Sequence, residues 1–178
     1  MCLYSQNVKV SNGVHGYSIE VPKSFIRVSP ADFDLYSSIL YKNSYTAQKA
    51  RSNLSVGHLD ILIVKEDSAF IKIASENVKI EVDETFKNIA KKEIPRQYLL
   101  IGRTNCTIEE CEFKKIGNRN VLYIELSYRE DNKDYFCILA FLNGRDNVFT
   151  TISMVVGKNQ QKKYSSVFRK ALQTLIIK

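Results

Sequence analysis

The side chains with the most versatile chemistry in this 178-residue chain are four cysteines, Cys2, Cys106, Cys111 and Cys137, and two histidines, His15 and His58. A nucleophilic enzyme needs a Cys or Ser beside a His and an orienting carboxylate. Here only the fold could bring a histidine to a cysteine, because none are close in sequence. The cysteines form no CxxC pair, and with both histidines distant there is no zinc spacing. Cys137 lies inside the apolar run 135–142 and reads as a small buried hydrophobe. A disulfide among Cys106, Cys111 and Cys137 would need an oxidising compartment. The carboxylate clusters Glu109-Glu110 and Asp131/Asp134 read as bulge and turn residues rather than acid–base pairs. There is no glycine-rich phosphate loop. No catalytic residue, cofactor site or metal site is therefore assigned.

The remaining chemistry is charge. Twenty-six Lys and Arg against 19 Asp and Glu give +7, which permits attraction to nucleic acid, anionic lipid or an acidic protein face. The segment 42–57 loses apolar periodicity and carries Lys42, Lys49 and Arg51 among Asn, Ser and Gln. It reads as a long, irregular, exposed basic loop, a kind of segment that is often functional. Tyr36, Tyr41 and Tyr45 precede or enter it, so aromatics and cations interleave there. Lys42, Tyr45, Lys49 and Arg51 are the candidate partner-binding residues.

The elements that must position these groups are legible as an α+β pattern. Val8-Lys9-Val10, a turn at Asn12-Gly13 and Tyr17-Ser18-Ile19-Glu20-Val21 predict an N-terminal β-hairpin. Ser29-Pro30-Ala31-Asp32 reads as a helix start, with Phe33, Tyr36, Ile39 and Leu40 on one face. Residues 58–65 form a β-branched strand, and β-like character continues through Phe70, Ile73, Val78 and Val82. Asp83 is a plausible N-cap for a helix whose stripe is Phe86, Ile89, Ala90 and Ile94, and Pro95 should kink or stop it.

From about residue 105 a four-stranded antiparallel meander follows. Its first strand switches parity near Glu109-Glu110, which predicts a bulge. Its second places Leu122, Ile124, Leu126 and Tyr128 on one face, with Tyr123, Glu125, Ser127 and Arg129 on the other. Tyr123 and Arg129 either line a groove or pack under a helix. The third strand, 135–142, is apolar at almost every position and reads as central and covered on both faces. A C-terminal amphipathic helix over 159–175 closes the chain, with Tyr164, Val167, Phe168, Ala171, Leu172 and Leu175 in its stripe. The whole reads as one domain, residues 1–178: an α/β/α-like sandwich of antiparallel sheet flanked by helices. No internal repeat or low-complexity linker divides it.

Several of these pieces resemble the PsbP-like superfamily. They are Gly16-Tyr17-Ser18-Ile19-Glu20-Val21-Pro22, the helix from Asp83, Lys115-Ile116-Gly117-Asn118-Arg119 before Val121-Leu122-Tyr123-Ile124, and the 150–156 strand with its following helix. The superfamily's tryptophan-rich opening is absent, with Phe25 in its place. The resemblance implies a sheet-and-helix sandwich that usually serves as a docking or assembly protein without catalysis. The expectation is therefore a non-enzymatic domain that docks on a protein or cell-envelope partner. The alternatives are a small Cys/His hydrolase and a nucleic-acid-binding module.

No apolar run reaches the ~18 residues that span a bilayer. Cys2, directly after the first Met, is a candidate lipid-attachment residue, and membrane anchoring is expected only if it is lipidated. That favours an extracytoplasmic, lipoprotein-like location over a cytoplasmic one.

Overall fold

The computed structural model describes residues 6–40, 44–117, 119–144 and 147–177, with the side chains of 38, 39 and 44–46 outside that description. The architecture is α+β and antiparallel, in two sheets. Strands β1 (Asn7–Asn12) and β2 (Tyr17–Pro22) form the expected hairpin, but with a four-residue turn, Asn12 opposing Tyr17. A two-residue strand that the sequence did not signal, β10 (Ile176–Ile177), pairs with the other edge of β2.

The large sheet has seven strands. They are β3 (Ile26–Arg27), β4 (Leu59–Val64), β5 (Ala69–Asn77), β6 (Thr104–Ile116), β7 (Arg119–Glu130), β8 (Lys133–Asn143) and β9 (Val148–Gly157). Their spatial order is β3-β4-β5-β9-β8-β7-β6. The meander is the β6–β9 half of this sheet, and β5 adds to it beside β9.

The meander follows its sequence signals closely. A register shift falls between Ile108 and Glu110, where the parity changes. Glu130 opposes Lys133 across a two-residue turn whose Asp131 and Asn132 both have positive φ, as a type I′ hairpin requires. Residues 136–140 of β8 are all buried, so that strand is covered on both faces. One face packs Phe136, Ile138, Ala140 and Tyr123 against helix α4 (Gln161–Gln173) and the small sheet. The other packs Leu122, Ile124, Leu126, Tyr128, Cys137 and Leu139 under the remaining helices. Tyr123 is thus under a helix, not in a groove.

Those helices are α1 (Phe33–Leu40), α2 (Ser44–Ser55) and α3 (Glu84–Leu100). The expectation of an irregular loop over 42–57 is corrected: 44–55 is helical. Ala47, Ala50 and Leu54 turn towards the core at helical spacing. The two alanines are too small to register as an apolar stripe, while Ala, Gln, Lys and Arg favour helix intrinsically. The helix at α3 is capped by Asp83, whose side chain accepts from Phe86 N at 2.8 Å. Pro95 neither stops nor ends it. Its missing N–H deprives the carbonyl of Lys91, an exposed residue that water can serve. Ile89, expected in the buried stripe, is 54% exposed. Ala90, Ile94 and Tyr98 take the sheet-facing side instead. Val78 and Val82 lie beyond the end of β5 in irregular chain.

Candidate functional site

The two sheets meet at a polar cluster where sequence alone gave no warning of one. Asp60 on β4 is 2% exposed, and both its oxygens are used. Oδ2 accepts from Asn12 Nδ2 at 2.7 Å and from the Tyr17 hydroxyl. Oδ1 accepts from Arg27 Nε at 2.8 Å and from a second Arg27 nitrogen. Burial first, and then the carboxylate, push the Tyr17 phenol far above its usual range, so it serves as a donor at all ordinary pH. Asn12 also donates to Gly57 O at 2.9 Å, and its Oδ1 accepts from Val14 N and His15 N. A buried carboxylate so fully satisfied is a clasp between β1, β2, β3 and β4, with no lone pair left for acid–base work.

The clasp fixes the surface above it. Its Asn12 bonds hold the β1–β2 turn on the junction between α2 and β4. There His15 Nε2 lies 2.9 Å from His58 Nδ1, one ring donating to the other. Burial first, then the neighbouring His58, lower the basicity of His15, with Asp60 opposing. Gly57 (φ +78) lets the chain turn under Val14: a Cβ there would stand 3.0 Å from Val14 Cγ2. Val14 is 66% exposed, Val56 is 55% exposed, and Leu35 on the outer side of α1 is 70% exposed.

Lys49 and Arg51 lie on the exposed side of α2. Arg51 reaches Asp34 of α1 at 3.1 Å, so it links the two helices as well as facing solvent. Lys42, the side chain of Tyr45 and Cys2 lie outside the described residues. The face formed by α1, α2 and the β1–β2 turn therefore holds two of the four basic-segment candidates. It also holds Val14, Val56 and the histidine pair, which no spacing in the sequence connects. The Asn12-Gly13 turn signal was the only hint of it.

The three described cysteines make no bond to the histidines. Cys106 and Cys111 are half-buried free thiols, Cys137 is fully buried, and no disulfide forms among these three. Burial pushes the Cys137 thiol up to about 11, the opposite of what a nucleophile needs. The histidines hydrogen-bond each other, and neither bonds a described thiol. Among the described residues no group of three or more His, Cys, Asp or Glu side chains could hold a metal ion. No described helix is long and apolar enough to cross a membrane. Glu109 binds Ser127 and Lys158, and Asp134 binds Arg129, so those carboxylates are held in surface ion pairs.

The second buried carboxylate serves α4. Glu125, 6% exposed, accepts from Arg169 at 2.6 and 2.9 Å and from the Tyr123 hydroxyl. A shallow cleft of about 690 Å³ lies at the sheet end between Asp67, Lys133, Tyr135 and Lys158. Its Asp67 is already held by Lys163 and Tyr164.

No protein-family model and no curated protein sequence matches the chain. Solved structures do match it in shape. The cyanobacterial PsbP, CyanoP, from Synechocystis sp. PCC 6803 superposes with a TM-score of 0.66 at 10% identity, over 99% of this chain and 95% of that one. The Saccharomyces cerevisiae Ran-binding protein Mog1p gives 0.57 at 9% identity, over 97% and 96%. LpqN of Mycobacterium tuberculosis, described as involved in cell envelope biogenesis, gives 0.58 at 10% identity, over 97% and 90%. The chain has the PsbP-like fold.

Proposed function

We propose that the chain is a non-enzymatic docking domain that captures a protein partner on the face made by α1, α2 and the β1–β2 turn. The observation that carries this reading is the set of exposed apolar side chains at its two ends, Val14 with Val56 and Leu35, beside the cations Lys49 and Arg51. Apolar anchors with a charged rim are how protein interfaces divide affinity from steering. The Asp60 clasp beneath makes the anchors' backbone rigid, which lowers the ordering cost of binding. Lys42 and Tyr45 adjoin this face in sequence and belong to the same proposal. The likeness to Mog1p, a Ran-binding protein, supports a partner that is a protein, while 9% identity gives no reason to choose the same one.

The test is affinity capture followed by a binding titration with the captured protein. Val14→Asp and Lys49→Glu should each weaken binding about tenfold or more. Both should leave the melting temperature in place. Equal binding by the wild type and both variants overturns the reading.

A further inference from the structure

A second surface, at the far end of α3, is unlike the first. Leu99, Leu100 and Ile101 are 63%, 71% and 60% exposed, three large aliphatic side chains in succession on one helix tip. The tip is closed in backbone terms. Gly102, at φ +83, donates its N–H to Leu99 O at 3.1 Å, and Arg103 N donates to Tyr98 O at 2.9 Å. This is the paired bonding of a Schellman end, which satisfies carbonyls that would otherwise need water. Arg103 itself folds back over the rings of Tyr98 and Tyr128 and pairs with Glu130. Its charge is therefore turned away from the tip.

Behind the tip the exposed side of α3 is basic, with Lys91, Lys92 and Arg96 outward and Glu93 beside Arg96 at 3.6 Å. At 1.5 Å rise per residue, Arg96 stands about 6 Å behind Leu100 and Lys92 about 12 Å. We infer that the α3 tip is a membrane-contact site that seats Leu99, Leu100 and Ile101 in an anionic lipid surface, with Arg96 and Lys92 at its phosphates. Arg96 thus falls within the roughly 5–10 Å depth to which interfacial helices bury apolar side chains, and Lys92 just beyond it. The carbonyls of Gln97, Tyr98 and Leu99 are already bonded within the tip, which lowers the cost of entering a medium that offers few partners. A net charge of +7 adds attraction to the same surface.

Flotation with phosphatidylcholine vesicles, with and without phosphatidylglycerol, tests this. The chain should float with the phosphatidylglycerol vesicles, remain behind with phosphatidylcholine alone, and be released by salt. Leu99→Asp with Leu100→Asp should reduce the partition at least about tenfold. Lys92→Glu with Arg96→Glu should reduce it at least about thirtyfold. All four positions are solvent-exposed, so circular dichroism and melting should be unchanged. Failure to float with anionic vesicles overturns the inference, as does equal flotation by the leucine variant. Sedimentation separates the rival occupant: self-association that the leucine variant abolishes, without vesicle binding, assigns the tip to a second copy and overturns a lipid site.

Discussion

Asp60 ties four strands together through one buried carboxylate. Three side chains and four donor contacts converge on its carboxylate, and only Arg27 among them reaches solvent. Removing it takes the carboxylate from the Arg27 guanidinium and the buried Tyr17 hydroxyl, and leaves the Asn12 amide its bond to Gly57 O. Asp60→Ala should cost about 3 kcal/mol, near the low end for a broken buried pair because Arg27 is half exposed. Urea denaturation reads this directly, and a midpoint unchanged from wild type would contradict it. Lys72 makes a different prediction. Burial first, and the Arg103 charge second, pull its ammonium from the ordinary 10.5 down to about 7. Between those values the unfolded chain holds a proton that the folded chain has lost, so stability rises with pH across that window. Below about pH 7 both states are protonated and the penalty is complete. Urea titrations at pH 7 and pH 9 should therefore differ, and Lys72→Met should flatten the difference. Neither residue announced itself in the sequence. A lone Asp in Leu59-Asp60-Ile61 looks like strand alternation, and only the hairpin folding across it reveals a binding partner set.

Elements were legible where large side chains set the period. The alternation of β7, the unbroken apolar run of β8 and the α4 stripe all appear as predicted, because burial of Leu, Ile, Phe and Tyr dominates the energetics. The helix α2 was illegible because Ala47 and Ala50 bury little area, and α3 ran through Pro95 because its sheet-facing contacts outweigh one lost bond. Faces of α2 now make opposite predictions one residue apart. Ala50, 6% exposed, sits against the core, and Ala50→Asp should cost several kcal/mol by burying a charge. Lys49 faces out, and Lys49→Glu should leave stability within about 0.5 kcal/mol while abolishing partner steering. Thermal melts of the pair decide the matter: two equal shifts would mean α2 is not docked as described. Removing the whole segment, which a loop would tolerate, would instead open the core at Leu54.

At the scale of the molecule, the division into two sheets was invisible in sequence because its closing strand is two residues long. Ile176 and Ile177 seal one edge of β2 while Thr174 Oγ1 accepts from Glu20 N at 2.8 Å and Leu175 is buried. A chain ending at Gln173 should lose about 3 kcal/mol or more through Leu175 and these bonds. Hydrogen exchange should show the loss concentrated in β2, and uniform protection would argue against the pairing. The α3 tip lies outside this seal, whereas the docking face rests on Tyr17 of β2, so truncation should disturb that face and spare the tip.

The pairing of β2 with β10 also constrains the order of events on the ribosome. Glu20 and its partner Thr174 are 154 residues apart. At roughly 5–20 residues per second, the first hairpin waits on the order of ten seconds for its third strand. A two-stranded hairpin is at best marginally stable alone, and the edge of β2 that β10 seals stays open until β10 emerges. The strands β1 and β2 are thus secured only after every strand of the large sheet has been made.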